Sequence, residues 1–572
     1  MYLTLRSACV GVALLLAVGC SSSRSATNYP DAQDFEVGGA GGDAGVDAGV
    51  DVIKPLPVSG GDNVLLFGGQ VQLLSAGPTC TQEVGATGDR WCAFASPSKT
   101  RIGSADLFVI NVSKAAAGVS IVCGGSAVDL NCLRLTGGFA ENDTHAALFQ
   151  GDTLVYFDET ATPYGWRPGM TNGRVLASAA TADVHDCFPA SKGTGVVCLR
   201  NRADLSTQDV EHADLLAGRL DGTTDPPLTM IDTVISVNTA DGNQQHFQNG
   251  FPTPAGDLVA WSSRATLTGP EILKVQRIDD PSTLRTVASD VTRWNASPDG
   301  SRWYWRTGVN SMTGAGTLLS APLPGGQTPT TLLTNVVDFA VAPTGGIALV
   351  TAAGTLEGIA DPVGAPTAIT SVDNGVVGIV RVSSQGHVAY AKSFDPILRL
   401  IDLHVRKLDG TGMRCTLSSG QDSPIFAPFL PGAGAIIWAR FTDLNVPIGD
   451  PVPTDGLLTN LSDCKTMTIA TGIHNLGAGG DNSVLFSNEG DDVDATLRVR
   501  TVAGGAMLGT DVPKLIQTRV DNFASVFPSP GAVLFTVNAQ STSDGVYLHL
   551  VAATGQPGTD GGADGATDAA HE

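Results

Sequence analysis

The clearest pattern of apolar and polar positions is NASPDGSRWYWRTG, from Asn295 to Gly308. Its SPDG segment predicts a tight turn, because Pro fixes φ at the second position, Asp tolerates the third and Gly closes the fourth. From Arg302 to Arg306, polar and aromatic residues alternate with a period of two. This predicts a half-buried strand that presents Trp303 and Trp305 to one face. The segment is therefore predicted to be a β-hairpin.

Weaker copies of this hairpin recur along the chain, and their turn glycines are 41 to 51 residues apart. Downstream of the clearest copy, a third strand is predicted near Thr317–Ala321 and a fourth near Thr331–Val336. A period in this range, with about four strands in each copy, favours propeller blades over a sandwich. The turn glycines are Gly256, Gly300, Gly345, Gly386, Gly432, Gly480 and Gly531.

The region before Phe251 is less regular. Further units are predicted around Cys80–Val112, around Asn142–Phe157 and from Phe188 onward, which gives up to ten repeat-like units. Because propellers usually have roughly 4 to 8 blades, we favour one propeller of seven or eight four-stranded blades. The N-terminal segments would then add blades or form a second incomplete ring.

A propeller also accounts for the aromatic residues of the repeats. A four-stranded blade cannot bury both of its faces alone, so neighbouring blades must stack until the first meets the last. The side chains predicted to fill the space between blades are those of Trp261, Trp303, Trp305 and Trp438. The alternative is that these rings form a stacking platform for sugar.

The repeat resembles the TolB-type β-propeller repeat, in which an SPDG turn precedes an apolar strand and a second hairpin. Ala296 to Trp305 carries the resemblance. Other copies keep the turn glycine but have Thr344, Gln385 or Pro530 at or beside the position of the aspartate. The resemblance covers Phe251 to about Ala553 and implies a propeller that serves as a binding platform.

Composition agrees with an all-β fold, since 69 glycines, 32 prolines and only 16% charged residues suit short strands joined by tight turns. The chain has 33 Lys and Arg against 56 Asp and Glu, a net charge of −23. This balance, without any basic cluster, argues against a nucleic-acid partner, because such binding depends on neutralising phosphates.

The N-terminus has the layout of a secretory signal: a basic start, a short apolar run from Ala8 to Val18, and small residues before Cys20. Leu16–Cys20 resembles the lipobox of bacterial lipoproteins, which implies that Cys20 is lipidated with palmitate-type chains. Ser21 resembles the residue that favours outer-membrane sorting. The alternative is an ordinary signal peptide with an incidental cysteine.

These observations divide the chain into four parts. Residues 1–19 are predicted to be the lipoprotein signal peptide, and 20–61 a flexible tether rich in Gly, Ala and Asp. Residues 62–553 are predicted to form the propeller, with less regular blades at 62–250 and clear repeats at 251–553. Residues 554–572 are predicted to be a disordered acidic tail.

Eight cysteines remain beyond Cys9 and Cys20, and an even number in an exported chain predicts disulfides. Sequence alone does not fix their connectivity. The spacing suggests three pairs across hairpins and one pair between adjacent blades. The hairpin pairs are Cys80 with Cys92, Cys123 with Cys132, and Cys187 with Cys198, and the pair between blades is Cys415 with Cys464.

Common catalytic and metal-binding motifs are absent from the sequence: it has no GxSxG, no glycine loop ending in GK[ST], no HExxH and no CxxC. His185-Asp186 beside Cys187 is the only compact polar trio, and it suits a Cys/His nucleophile only if the thiol is free. The acidic run Glu489–Asp494 suits either calcium or a solvated loop, and we favour the loop. No metal and no cofactor is predicted.

The sequence thus predicts a non-catalytic, lipid-anchored binding or scaffolding module of the cell envelope. Its location would be the outer membrane, facing the periplasm or the surface, and its partner a protein, peptide or glycan. The alternative is a propeller enzyme, a hydrolase or lyase, with its site at the central channel.

Overall fold

The computed structural model describes the part of the chain that carries the predicted repeats. It describes residues 63–550 except for 74–79, 82–88, 98–103, 120, 122, 124–128, 140–146, 178–183, 191–192, 203–209, 222–225, 238–250, 253–256, 265–268, 324–327, 396–399, 420–423, 427–428, 431–433, 442–453, 479–482, 489–495, 504–506, 509–513, 519, 529–530 and 538–543. The predicted signal, tether and tail lie outside the described residues. No helix within the described residues has the length and apolar character needed to span a membrane.

The described chain is nearly all β, as predicted, with a single short helix α1 (Val112–Ala116). The first strands are β1 (Asn63–Gly68), β2 (Gln72–Leu73), β3 (Trp91–Pro97), β4 (Ala105–Asn111), β5 (Cys132–Phe139), β6 (Ala147–Gln150), β7 (Thr153–Phe157), β8 (Pro163–Trp166), β9 (Arg174–Val175), β10 (Val184–Pro189), β11 (Gly195–Asn201), β12 (Val210–Arg219), β13 (Thr229–Val237), β14 (Phe251–Pro252), β15 (Leu258–Arg264), β16 (Glu271–Arg277) and β17 (Asp280–Ser289).

The later strands cover the region of the clear repeats. They are β18 (Val291–Ala296), β19 (Arg302–Thr307), β20 (Gly316–Pro322), β21 (Thr330–Val341), β22 (Ile347–Thr351), β23 (Thr355–Ile359), β24 (Ile369–Asn374), β25 (Gly378–Val382), β26 (His387–Asp395), β27 (Leu400–Lys407), β28 (Cys415–Thr416), β29 (Pro424–Phe426), β30 (Phe429–Leu430), β31 (Ala435–Phe441), β32 (Thr454–Asn460), β33 (Thr466–Ala470), β34 (Ile473–Ala478), β35 (Ser483–Asn488), β36 (Thr496–Ala503), β37 (Met507–Leu508), β38 (Lys514–Thr518), β39 (Val520–Pro528), β40 (Gly531–Val537) and β41 (Gly545–Leu550).

The strands form antiparallel sheets that follow one another along the chain. We number them as units: 1 (β2–β5), 2 (β6–β9), 3 (β10–β13), 4 (β14–β17), 5 (β18–β21), 6 (β21–β24), 7 (β25–β28), 8 (β29–β33), 9 (β34–β38) and 10 (β39–β41 with β1). Units 5 and 6 share β21, whose first half pairs with β20 and whose second half pairs with β22.

The two ends of the described chain meet in unit 10. Strand β1 pairs with β41, in a register that runs from Asn63 opposite His549 to Gly68 opposite Gly545. The first described strand therefore completes the sheet that the last three strands begin.

Within the described residues, the core consists of ten apolar clusters, each lying between two successive units. One cluster joins Val499 of unit 9 to Phe535 of unit 10, and another joins Leu548 of unit 10 to Phe94 of unit 1. Each sheet is thus covered on both faces by its neighbours, and the order of contacts closes on itself. Sheets stacked in this cyclic order are the arrangement of a β-propeller.

The predicted hairpin of the repeat is confirmed. Its strands are β18 and β19, and the turn is closed by a hydrogen bond of 2.8 Å from the Gly300 N–H to the Ser297 carbonyl. Gly300 has φ +70°, the left-handed conformation that glycine adopts without strain. The third and fourth strands are β20 and the first half of β21, as predicted.

One part of the hairpin prediction is wrong, because β19 is buried on both faces. Trp303 and Trp305 share one face and lie in the cluster between units 4 and 5, as predicted. Tyr304 points to the other face and is equally buried, in the cluster between units 5 and 6. A strand in the middle of a stacked sheet has a neighbouring sheet on each side, so its polar-aromatic alternation does not mark a solvent face.

The predicted turn glycines are confirmed at Gly345 and Gly386, which have φ +94° and +75°. Gly531, in contrast, is the first residue of β40, paired with Pro528, so it follows the turn. Gly256, Gly432 and Gly480 lie outside the described residues.

Four disulfides join the cysteines in the pairs that their spacing suggested. Cys80–Cys92 and Cys123–Cys132 lie in unit 1, and Cys187–Cys198 joins β10 to β11. Cys415–Cys464 joins unit 7 to unit 8, with a Cα–Cα distance of 4.9 Å. This last bond connects two successive sheets, as expected for a staple between blades.

Candidate functional sites: the inner wall and a polar seam

The first strands of successive units lie beside one another. Contacts join β6 to β10, β10 to β14, β21 to β25, β34 to β39 and β39 to β2. Sheets that radiate from an axis come closest to each other at the axis, so these strands line the centre of the ring. We call the surface that they form the inner wall.

Bulges recur on the inner wall. Among the described strands, the first strand of seven units has a register shift against the second. These strands are β10, β18, β21, β25, β29, β34 and β39. A bulge adds one residue to a strand and changes the direction of nearby side chains, and such irregularities are common beside binding sites.

A polar network crosses three successive first strands of this wall. The Arg293 guanidinium on β18 donates to the Asp338 carboxylate on β21, and the Ile379 N–H of β25 donates to the same carboxylate at 3.4 Å. The Arg293 guanidinium carbon also lies 5.3 Å from the centroid of the Phe339 ring. The side chain of Arg293 is 35% exposed, so the network holds a cation that solvent can still reach.

Other polar groups lie near this network. The Arg306 guanidinium donates to the Val337 carbonyl, and burial, followed by the charge of Arg293, lowers the pKa of Arg306. Thr292, Asn295 and Arg381 are exposed on the first strands β18 and β25. The inner wall therefore presents cationic and hydrogen-bonding groups to a ligand.

A second polar group of residues lies where unit 6 meets unit 7, and we call it the seam. Asp373 on β24 accepts a hydrogen bond of 2.5 Å from the Tyr390 hydroxyl and one of 3.0 Å from Lys392 Nζ. Arg414 Nη1 lies 3.4 Å from the same carboxylate. Burial opposes ionisation of Asp373, but the hydrogen bonds from Tyr390, Asn374 and Lys392 prevail and lower its pKa to about 2.

The seam continues through His404. Tyr390 and His404 are opposite each other in the pairing of β26 with β27, and their rings stack with centroids 5.7 Å apart. His404 Nδ1 lies 3.1 Å from Thr416 Oγ1 on β28. Asp402 Oδ1 lies 2.8 Å from His404 Nε2, in a contact that lacks the direction of a hydrogen bond. His404 is buried, whereas Thr416 is exposed.

The aromatic residues predicted for the core are all buried. Trp261 lies between units 3 and 4, Trp303 and Trp305 between units 4 and 5, and Trp438 between units 7 and 8. They pack as core residues, and the alternative of a sugar platform at these four positions is wrong.

The predicted chemical candidates fare differently. Cys187 is bonded to Cys198, so it has no thiol to serve as a nucleophile. Cys20 and the run Glu489–Asp494 lie outside the described residues. Within the described part of the chain, no group of three or more His, Cys, Asp or Glu side chains is close enough to hold a metal ion.

Comparison with known proteins found no matching family model and no matching curated protein. Among solved structures, the chain is similar to a eukaryotic initiation factor, at 11% identity and a TM-score of 0.43, over 74% of this chain and 97% of that one. It is similar to the tricorn protease at 11% identity and a TM-score of 0.30, over 80% of this chain and 56% of that one. It is also similar to the β-propeller domain of the Trilobed protease from Pyrococcus furiosus, at 10% identity and a TM-score of 0.29, over 58% of this chain and 96% of that one.

Proposed function

We propose that this protein is a lipid-anchored β-propeller of ten four-stranded blades that binds a protein, peptide or glycan partner at the cell envelope through its inner wall. The ten units and the ten clusters between them support this blade number over the seven or eight that the sequence favours. The early units look irregular in sequence because their strands are separated by longer segments, such as the one between β4 and β5.

The observation that carries the binding proposal is the network of Arg293, Asp338 and the Ile379 N–H. A guanidinium fixed by a carboxylate on one side keeps donors for a ligand on the other, and little side-chain entropy is left to lose on binding. Asn295, exposed on the same strand, adds a hydrogen-bonding group. Such a surface suits the carbonyls of a peptide or the hydroxyls of a glycan.

The proposed lipid anchor at Cys20 precedes, in the sequence, β1, the first described strand of the propeller. If Cys20 is lipidated, residues 20–61 connect the membrane to β1, which starts at Asn63 in unit 10. A flexible chain of this length has an end-to-end distance of about 36 Å. The propeller would therefore be free to turn its inner wall away from the bilayer.

Photo-crosslinking in intact cells tests the binding site. A benzophenone amino acid at Asn295 on the inner wall is compared with one at Leu284, which is 49% exposed on β17, the outermost strand of unit 4. We expect a discrete adduct from Asn295 alone, identified as a protein or glycan by mass spectrometry. Equal adducts from both positions, or adducts from Leu284 alone, would contradict the proposal. Cleavage of the captured partner would support the alternative of an enzyme.

Metabolic labelling with a palmitate analogue tests the anchor. The wild-type chain is expected to carry the label and Cys20→Ala to lack it. Equal labelling of both chains would refute lipidation of Cys20.

Class averages from electron microscopy test the blade number. Ten wedges around one axis are expected, and seven, eight or two separate rings would contradict it.

A further inference from the structure

We propose that Thr416 is a nucleophile, activated by His404 as its general base, and that it reacts with carboxylic esters at the seam between units 6 and 7. This activity is independent of the binding proposed for the inner wall. Nucleophile, base and a carboxylate beside the base are the three parts that a hydroxyl needs for covalent catalysis.

The strand pairing brings the nucleophile to the base. Thr416 on β28 lies directly opposite His404 on β27, and the distance from Oγ1 to Nδ1 is 3.1 Å. Asp402 is two residues before His404 on the same strand, so alternation along the strand places both on one face. Its carboxylate oxygen is 2.8 Å from Nε2.

The carboxylate determines which ring nitrogen acts as the base. A negative oxygen beside Nε2 favours the tautomer that carries its proton on that nitrogen. Nδ1 then carries the lone pair and accepts the hydroxyl proton of Thr416. Asp402 is thus a positioning residue, because it acts through His404.

The surrounding contacts hold these groups in place. His404 stacks on Tyr390, whose hydroxyl is bound by Asp373. Thr416 belongs to a two-residue strand, and the residue before it, Cys415, is fixed by its disulfide to unit 8. After it, Ser418 Oγ accepts a hydrogen bond of 3.1 Å from the Leu403 N–H and donates to the Ile401 carbonyl. A site that is held on both sides keeps its geometry.

Burial and charge indicate how a substrate would approach. The base is buried and the nucleophile is exposed, so an ester can reach Oγ1 from solvent. The charged groups facing the seam are Asp373, Lys392, Asp402, Arg406 and Arg414. Arg414 is 46% exposed, so of these groups it is a cation that an approaching ester can reach.

The reaction balances with water as the only co-reactant. Thr416 Oγ1 attacks the ester carbonyl as its proton passes to His404 Nδ1. The C–O bond to the alcohol then breaks, and the leaving oxygen takes that proton. The acyl-threonine is hydrolysed by a water whose proton passes through Nδ1 in the same way, which releases the carboxylic acid and restores the hydroxyl.

The test uses p-nitrophenyl acetate and the full chain, quenched in acid and mapped by mass spectrometry. We expect acetyl on Thr416, and a fall in acetylation rate on the order of 100-fold in Thr416→Val, which keeps the branched shape but loses the hydroxyl. Thr331→Val, at an exposed position of β21, is the matched control and should react like wild type. Asp402→Asn should slow the acetylation of Thr416, and Asp402→Glu should restore part of the rate, because only a carboxylate favours the proton on Nε2.

Mapping the wild-type chain decides the matter even if a variant folds poorly. Lack of acetyl on Thr416, or equal rates in Thr416→Val and wild type, would overturn the proposal. An equal acetylation rate in Asp402→Asn and wild type would remove the assigned role of Asp402.

Discussion

The Tyr390 hydroxyl donates a hydrogen bond of 2.5 Å to the Asp373 carboxylate, and the two residues belong to neighbouring sheets. The same arrangement occurs between units 3 and 4. There, Asp232 on β13 accepts hydrogen bonds of 2.6 Å from Trp261 Nε1 and 2.8 Å from Lys274 Nζ. In both cases an aspartate on the last strand of one unit binds an aromatic residue and a lysine of the next. We call each of these groups of an aspartate, an aromatic residue and a lysine a polar clasp. At these two boundaries, successive sheets are therefore held together by a polar clasp as well as by apolar contact.

Asp373→Asn should lower the free energy of unfolding at pH 7. It should also reduce the amount by which that free energy falls as the pH is lowered. The pKa of Asp373 is lowered from an ordinary value of 3.8 to about 2, so the folded state favours the charged carboxylate. The stabilisation is present above the unfolded-state pKa near 4 and is lost as pH falls towards about 2. The side chain is only 11% exposed, and we expect a loss of at most about 2 kcal/mol at pH 7. Urea unfolding at pH 7, pH 5 and pH 2 measures it.

Tyr390→Phe is the matched variant, since it keeps the ring against His404 and removes only the hydroxyl. It should lower the urea midpoint at pH 7 by less than Asp373→Asn does, because Lys392 remains bound to the carboxylate. The wild-type chain is compared with Asp373→Asn between pH 5 and pH 2. If it loses no more stability than the variant over this range, the contacts of Asp373 do not favour the charged form of its carboxylate.

Removing the disulfide between units 7 and 8 should cost more than removing one within a unit. The cysteines of Cys415–Cys464 are 49 residues apart, whereas those of Cys187–Cys198 are 11 apart. On the chain-entropy model, closing the longer loop contributes about 4 kcal/mol and the shorter one about 3 kcal/mol. Unfolding of the two double-serine variants in urea measures the difference, and an equal or reversed ranking would show that entropy of the unfolded chain is not the main term here.

The hairpins, the buried tryptophans and the disulfide pairs could be predicted from the sequence because each depends on local spacing. The turn at Gly300 and the strands beside it are encoded within fourteen residues. Cys187 and Cys198 face each other across one hairpin. Such features need no knowledge of the distant chain.

The polar networks could not be predicted in the same way. Arg293 and Asp338 are 45 residues apart, one repeat interval, and they meet only because successive units bring equivalent positions of their first strands together. Asp402 and His404 are two residues apart on one strand, so the sequence predicts that they share a face. Thr416 lies opposite His404 only because of the register of β28 with β27. Register and the packing of sheets decide these contacts, and neither is visible in local periodicity. An alignment of the repeats by position would have been the signal for the Arg293–Asp338 pair.

Glycines on third strands allow successive sheets to approach closely, and Gly358→Ala tests this. A Cβ at Gly358 on β23 would lie 1.9 Å from the Leu408 carbonyl oxygen of the next unit, and one at Gly165 on β8 would lie 2.4 Å from the Leu220 side chain. Backbone cannot move aside as a side chain can, so unit 7 would have to shift. We expect Gly358→Ala to cost about 1 to 3 kcal/mol in urea unfolding. Gly378→Ala on β25 is the control, because a Cβ there meets nothing within 4 Å, and alanine should be neutral or slightly stabilising. If Gly358→Ala and Gly378→Ala both unfold at the same urea concentration as wild type, the backbones of units 6 and 7 are not close enough at Gly358 to exclude a Cβ.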